Sequence, residues 1–289
     1  MFFQTACYTD QGETRPSNQD SYTVKTAQTA WGQVALAVIC DGMGGLAQGE
    51  FASAQMVYAF EDWFWKELPL LLRQGIPEKL LAVQWNGLVQ ETSRAIRQYG
   101  EASGIRLGTT VTALLMTEER YYLMHVGDCR AYRVCGGTTV QLTEDQTLAA
   151  RELRAGHITP EEFRIDSRQH VLLQCVGAGS SVTPELLSEP CGEESVFLLC
   201  SDGFYHTLSQ EELNQFSEGQ PQENWMRRYL EELGRRCRQR GEQDNLTALA
   251  VSCCDSSCGP TLLMEPTETE AFLQVLADET RVYVPRASW

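Results

Sequence analysis

The residues of this 289-residue chain best suited to chemistry are aspartates placed where apolar runs stop. Asp41 closes one such run in Val-Ile-Cys-Asp41-Gly42-Met43-Gly44-Gly45, and Asp128 closes another in His125-Val126-Gly127-Asp128. Asp202 follows Leu-Leu-Cys-Ser201 and precedes Gly203, while Gln243-Asp244-Asn245 leads into the run Leu246–Ser252. A carboxylate at the end of a buried strand is held by rigid backbone. A neighbouring glycine lets the chain turn tightly and approach a ligand closely. Taken singly, an Asp-Gly pair is ordinary turn chemistry. Four such sites, each abutting an apolar run, point instead to one shared centre. Carboxylates that converge repel one another and rise in pKa unless cations join them. An all-oxygen donor set favours hard ions, Mg²⁺ or Mn²⁺, over zinc.

The elements that must position these aspartates are short β-branched or apolar strands: Val34–Cys40, Thr110–Met116, Tyr121–Val126, Ala131–Val134, Val196–Cys200 and Leu246–Ser252. Helical periodicity marks Gly49–Leu72, where Phe51, Ala54, Val57 and Tyr58 share a face, and Pro77–Tyr99, where Leu81, Trp85, Leu88 and Ile96 do. A third helix is expected over Pro221–Arg240. Gly127-Asp128 and Gly136-Gly137 read as hairpin turns between antiparallel strands. Strand runs and helix runs are segregated, so an α+β fold is expected rather than a βαβ repeat. The globular pattern covers residues 1–252. Residues 253–289 read as a C-terminal tail with a short helix over Glu268–Leu276.

Composition narrows the function. Apolar residues make up 43 % of the chain, enough for a sizeable core. A net charge of −16 disfavours nucleic acid and anionic membrane as partners. The start Met1-Phe2-Phe3-Gln4-Thr5 has no basic, apolar export signal, and Val34–Cys40 is far too short to cross a bilayer. Eleven cysteines without a repeated spacing read as reduced thiols, so a cytoplasmic location is expected.

Other motifs carry less. Gly44-Gly45 lacks the Lys-Ser/Thr of a phosphate loop. The histidines (His125, His157, His170, His206) show no zinc-ligand spacing among themselves, and Cys253, Cys254 and Cys258 lack a fourth ligand. Arg227-Arg228, Arg235-Arg236, Arg238 and Arg240 read as a solvated basic face, with a docking surface as the sharper alternative. Phe60, Trp63, Phe64 and Trp65 read as core, although four aromatics in six residues cannot all face inward.

In order along the chain, these motifs resemble the metal-dependent protein phosphatases of the PP2C (PPM) family, in their compact bacterial form. The matching segments are Arg15-Pro16-Ser17-Asn18-Gln19-Asp20, Asp41–Gly45, Gly108-Thr109-Thr110, Gly127-Asp128-Cys129-Arg130, Leu142-Thr143-Glu144-Asp145, Ser201-Asp202-Gly203 and Asp244-Asn245. The segment Glu152–Glu185 resembles the family's flap, here taken as about residues 146–190. The resemblance implies an α/β/β/α sandwich, two antiparallel sheets flanked by helix pairs, with the site at one edge. It implies two or three Mn²⁺ or Mg²⁺ ions. Asp41 would bridge two of them, with the Gly42 carbonyl on one, Asp202 and Asp244 completing the other's shell, and Asp128 with Asp202 at a third. Arg15 would grip the substrate phosphate, and Asp20 would act through water.

The implied activity is hydrolysis of phosphoserine and phosphothreonine in proteins by a metal-activated water, opposing a Ser/Thr kinase of the same pathway, with the chain a monomer. Two residues depart from the family pattern. Met43 stands where human-type relatives carry a histidine that can act as general acid, so another group must protonate the leaving oxygen. Gln19 stands where many carry glutamate, which removes an outer-shell charge. These departures keep open a catalytically silent, phosphoprotein-binding module as the rival reading. A phosphatase dedicated to one phosphorylated regulator is a narrower alternative.

Overall fold

Strands covered by apolar layers on both sides account for the unbroken apolar runs. The computed structural model describes residues 2–44, 48–179, 181–192, 195–217, 223–254, 274–275 and 281–283. The chain opens with β1 (Phe2–Asp10), β2 (Asp20–Thr29) and β3 (Gly32–Gly44), then α1 (Gly49–Lys66), α2 (Leu68–Leu72) and α3 (Glu78–Ser103). The strands β4 (Leu107–Thr109), β5 (Val111–Met116), β6 (Arg120–Val126), β7 (Arg130–Cys135) and β8 (Thr138–Gln141) follow. Next come α4 (Leu148–Arg154), α5 (Pro160–Phe163), a 3₁₀ turn at Ser167–His170, β9 (Glu185–Pro190) and β10 (Val196–Cys200). The short α6 (Asp202–Tyr205) and α7 (Gln210–Asn214), α8 (Glu223–Gln239) and β11 (Leu246–Cys254) lead to β12 (Gln274–Val275) and β13 (Arg281–Tyr283).

Two antiparallel sheets result. One has the order β1-β11-β10-β7-β8. The other runs β12-β2-β3-β5-β6-β9, with β13 also on β2 and β4 on β3. Side chains alternate across a strand, and here both faces are covered. In β3, Ala35, Ala37 and Ile39 join Phe3, Tyr121, Phe197 and Leu249 between the sheets. Val34, Leu36, Val38 and Cys40 point the other way, onto Met56, Phe60 and Phe64 of α1 and Trp85 of α3. In β10, Val196 and Leu198 pack against Phe204, Leu230 and Leu233 on the outside of the first sheet. Each fully buried Phe contributes about 1.5–3 kcal/mol. The expected α+β sandwich with four layers is the architecture observed.

Several expectations need correction. Gly127-Asp128 turns no hairpin: β6 belongs to one sheet and β7 to the other, so this turn crosses the sandwich. Gly127 makes the crossing at φ +110, where its missing Cβ avoids Thr110. Gly136-Gly137 does join a hairpin, β7 to β8. The helix expected over Gly49–Leu72 breaks at Glu67, just ahead of Pro69 in the first turn of α2. Tyr58 is exposed rather than packed with its expected face. Trp65 is the aromatic that turns outward, with the Lys25 ammonium 5.6 Å from its ring centre.

Strands β1, β2 and β9 carry no clear apolar alternation. In β2 the buried Lys25 is matched by Glu61 of α1 at 2.7 Å, so a polar residue occupies an inward position. Of the helix expected over Glu268–Leu276, the described part, Gln274–Val275, is a strand paired with Ala27 and Gln28; the remainder lies outside the described residues. Gly45 and Cys258 lie outside them too, as does the rest of the C-terminal segment apart from residues 253–254, 274–275 and 281–283. Cys7, Cys40, Cys129, Cys175, Cys191, Cys200 and Cys237 are free thiols. Among the described residues no helix is long and apolar enough to cross a membrane.

Candidate metal centre

Asp20 and Asp41 stand directly opposite each other where β2 and β3 pair. The backbone of Asp41 is fully occupied. Its N–H donates to Thr110 Oγ1 at 2.9 Å, and its carbonyl accepts from Thr110 N–H at 2.9 Å and Thr109 Oγ1–H at 3.0 Å. The carboxylate is thereby aimed without being consumed. The next residue must be glycine. A Cβ on Gly42 would lie 2.2 Å from the Gly49 carbonyl oxygen at the head of α1 and 2.6 Å from that of Gln19.

The facing sheet brings the other carboxylates. Asp202 begins α6 directly after β10 and accepts from Gly203 N–H at 2.6 Å. Ser201 beside it spans the sheets, donating to Asp20 Oδ2 at 2.9 Å while accepting from Thr247 N–H at 3.0 Å. Asp244 lies in the turn before β11, where its Oδ1 accepts from Asn245 N–H at 2.8 Å and its Oδ2 from Arg15 Nη2 at 2.6 Å. Asn245 ties the Arg15 loop down: its Oδ1 accepts from Gln19 N–H at 2.9 Å, and its Nδ2 donates to the carbonyls of Gln11 at 2.5 Å and Ser17 at 3.1 Å. Asp128, at the sheet-to-sheet turn, is fixed through its carbonyl, which accepts from Tyr205 OH at 3.0 Å. Tyr205 is held in turn by the Arg130 guanidinium, 3.8 Å from its ring centre and doubly hydrogen-bonded to Asp145 at 2.8 and 2.6 Å.

Arg15, Asp41, Gly42, Asp128, Asp202 and Asp244 therefore line one cleft of about 640 Å³, with Gln19, Met43 and His170. Asp20 lies behind its wall, 1 % exposed. The electrostatics are strained. Burial, then the charges of Asp20, Asp202, Asp128 and Asp244, push the Asp41 carboxyl well above the carboxylate range. Burial and then Asp202 raise Asp128 likewise. Asp20 is pushed up to about 7 by burial, despite the hydrogen bonds it accepts, and its Oδ1 has no partner. Asp202 differs: although burial opposes ionisation, His170, His206 and the Gly203 N–H hold its pKa below the usual value. Among the described residues lining the cleft, Arg15 is the one permanent cation. Buried, mutually repelling oxygen donors with an orphaned carboxylate oxygen suit hard divalent cations, the ligands that would supply the missing positive charge.

The two departures find their places here. Met43 lines the cleft with no exchangeable proton on its side chain. Gln19 Nε2 donates to Glu50 Oε2 at 3.4 Å, so a carboxylate stands beside the position where Gln19 carries none. His125 is no ligand of the centre: its ring bonds Thr112 Oγ1 at 2.9 Å and the Glu144 carbonyl at 3.1 Å in the core. The sequence reading missed His170 and His206, which stand over Asp202. The available signal was a mixed spacing, Asp202 and His206 four apart on one helical turn, which a search for paired histidines passes over.

The same architecture is found in known proteins. A family model described as Protein phosphatase 2C matches residues 13–249. A serine/threonine phosphatase, stp, of Listeria welshimeri is 30 % identical over 251 residues, covering 84 % of this chain and 93 % of that protein. The Mycobacterium tuberculosis serine/threonine protein phosphatase PstP is 29 % identical over 213 residues, 73 % of this chain and 38 % of the longer PstP. Among solved structures, the S. agalactiae serine/threonine phosphatase matches with a TM-score of 0.76 at 25 % identity, over 86 % of this chain and 99 % of that one. The PstP catalytic domain in complex with two manganese ions matches with a TM-score of 0.70 at 28 % identity, over 88 % and 99 %. The chain belongs to the protein phosphatase 2C family.

Proposed function

We propose that this chain is a divalent-metal-dependent phosphatase acting on phosphoserine and phosphothreonine in proteins. The observation that carries the reading is the meeting of five aspartates from both sheets, four on the cleft and Asp20 behind it, beside Arg15. Asp41, the Gly42 carbonyl, Asp202, Asp244 and Asp128 would hold two or three ions, Mn²⁺ or Mg²⁺. Such ions, when bound, lower the pKa of a water and offset charge on a phosphoryl group. Arg15 binds phosphate: its guanidinium offers paired N–H donors, and half of its side chain is exposed, so it is free to leave Asp244 for a substrate. Asp20 supports the centre from behind through Ser201.

The fold places no serine or cysteine nucleophile on the cleft lining among the described residues, which agrees with direct attack by water. In this reading residues 1–252 form the phosphatase unit, residues 146–190 its flap, and 253–289 an appended segment. The chain works as a cytoplasmic monomer against a Ser/Thr kinase of its pathway. The test is hydrolysis of a phosphothreonine peptide with and without Mn²⁺, with Mn²⁺ binding measured by calorimetry. Asp41→Ala and Asp202→Ala should each lose turnover by about 10²-fold or more and lose Mn²⁺ affinity while keeping the wild-type circular dichroism. Near-normal turnover in Asp202→Ala would refute the assignment.

A further inference from the structure

Besides its all-oxygen cluster, the cleft carries a ligand set of different chemistry. One ligand atom each from His170, Asp202 and His206 lies within 4.8 Å of the others. Two of the three come from one helical turn. Asp202 opens α6 and His206 caps it, its N–H donating to the Asp202 carbonyl at 3.0 Å, so the two side chains share a face. The third arrives from the 3₁₀ turn Ser167–His170 on the flap. Its ring meets that of His206 edge to face, with centroids 5.2 Å apart, and its Nδ1 stands 3.8 Å from Asp202 Oδ2.

This donor set differs from the rest of the centre. Two imidazole nitrogens and one carboxylate oxygen suit Zn²⁺ and its borderline neighbours, whereas Mg²⁺ prefers oxygen alone. Ligand atoms about a tetrahedral zinc stand roughly 3.3–3.5 Å apart for bonds of about 2.0–2.1 Å. No pair in the triad therefore needs to close by more than about 1.3–1.5 Å. Both histidines are exposed and can turn to do so without moving the core. Three protein ligands leave one position open, and the ion would join the flap to the floor of the cleft.

We propose that His170, Asp202 and His206 form a zinc site that pins the flap turn to α6. The binding itself does not depend on the phosphatase reading. Its consequence does rest on that reading: Asp202 is drawn from the oxygen-ligated centre, so zinc lowers Mn²⁺-dependent turnover.

The test uses the full chain freed of divalent cations, so that nothing competes for Asp202, and titrates Zn²⁺ alone against a chromogenic chelator. Amide hydrogen exchange of residues 167–173 is followed in parallel. Wild type should bind Zn²⁺ and gain protection in that segment. His170→Ala and His206→Ala should each weaken zinc binding by at least about tenfold, the lower bound for losing even an outer ligand, and lose the protection. His170→Ala changes an exposed side chain, so it keeps the test decisive if His206→Ala folds poorly. Equal zinc affinity in wild type and both variants, or no zinc uptake by wild type, overturns the site. Zinc that binds through the histidines yet leaves phosphopeptide turnover unaltered overturns the coupling through Asp202. A chain without phosphatase activity leaves the binding and exchange results to decide the site.

Discussion

Replacing Asn245 by alanine tests whether the Arg15 loop is held by one buried amide. The side chain is 5 % exposed, and three hydrogen bonds converge on it, from Gln19 N–H and to the carbonyls of Gln11 and Ser17. Each bond nets about 0.5–1.5 kcal/mol, and a buried group left unpaired costs about 1–3 kcal/mol. The Gln11 carbonyl sits on an exposed residue and can recover a water, so its loss is cheap. Gln19 N–H is half-buried beside Gly42, and it retains most of its penalty. The sum is about 2–3 kcal/mol. For a urea slope of about 2–3 kcal/mol/M, that moves the unfolding midpoint down by roughly 1 M. The second readout is kinetic. A loosened loop takes Arg15 off its station, so KM for a phosphopeptide should rise several-fold. Arg15→Ala, which leaves Asn245 in place, should raise KM without the stability loss. A midpoint within about 0.2 M of wild type, below what one lost bond would cause, would show that the amide holds nothing and would sink the argument.

Other outcomes follow from the same geometry. Gly42→Ala should cost more than about 3 kcal/mol in chemical unfolding, beyond ordinary overpacking, because its Cβ would strike backbone at Gly49 and Gln19 that cannot rotate away. Saturating Mn²⁺ at about 100 times its Kd should stabilise wild type by about 2.7 kcal/mol, some 5–10 °C in Tm. That gain should vanish in Asp41→Ala; an unchanged Mn²⁺ shift in the variant would remove Asp41 from the centre. Glu212 gives a pH signature remote from the cleft. Hydrogen bonds from Arg240, assisted by Ser209 N–H and Arg236, lower its pKa to about 2. With the folded value depressed, its stabilisation is full above the unfolded pKa of about 4.3 and is lost as pH falls toward 2. Because Arg240 and Arg236 are partly exposed, about 1–2 kcal/mol is expected after screening. Glu212→Gln should lose that amount at pH 7 and show a shallower acid dependence; parallel pH curves for the two proteins would rule this out.

The legible parts of the sequence are those where a single physical constraint dominates. Val34–Cys40 and Val196–Cys200 are apolar on both faces because each strand lies between two apolar layers, so they stand out without alternation. The aspartates at the ends of these runs were legible for the same reason: a charge that interrupts such a run needs a purpose. Strands with paired polar groups were hidden. Lys25 in β2 and its partner Glu61 are far apart in sequence, and neither side chain alone reveals the pairing. Sheet membership was hidden as well. A Gly-Asp turn between two strands looks the same whether it folds one sheet back on itself or, as at Gly127-Asp128, carries the chain across to the other. The pairing of His170 with α6 depends on how a long segment lies over the cleft, which local spacing does not encode.

That crossing turn explains why the centre forms at an edge of the sandwich. A sheet interior would saturate every backbone group and bury each aspartate in its own strand, out of reach of the others. At the edge, strands from both sheets end together, and cross-sheet bonds set their spacing: Ser201 to Asp20, and Asn245 to Gln19. Backbone contacts fix Asp41 and Asp128 through main-chain atoms, which leaves their carboxylates free. The scaffold thus holds Asp41 and Asp128 through their main chain, while Asp20, Asp202 and Asp244 are also aimed by hydrogen bonds that their carboxylates accept. Burial first, and then the neighbouring carboxylates, push Asp41 and Asp128 above the carboxylate range, and a bound cation would offset both penalties. A chain that had lost its cations in evolution would gain stability by replacing one of these residues with a neutral one, and all of them are present. For that reason the retained carboxylates weigh more heavily than Met43 or Gln19 in favour of an active centre over a silent binding module.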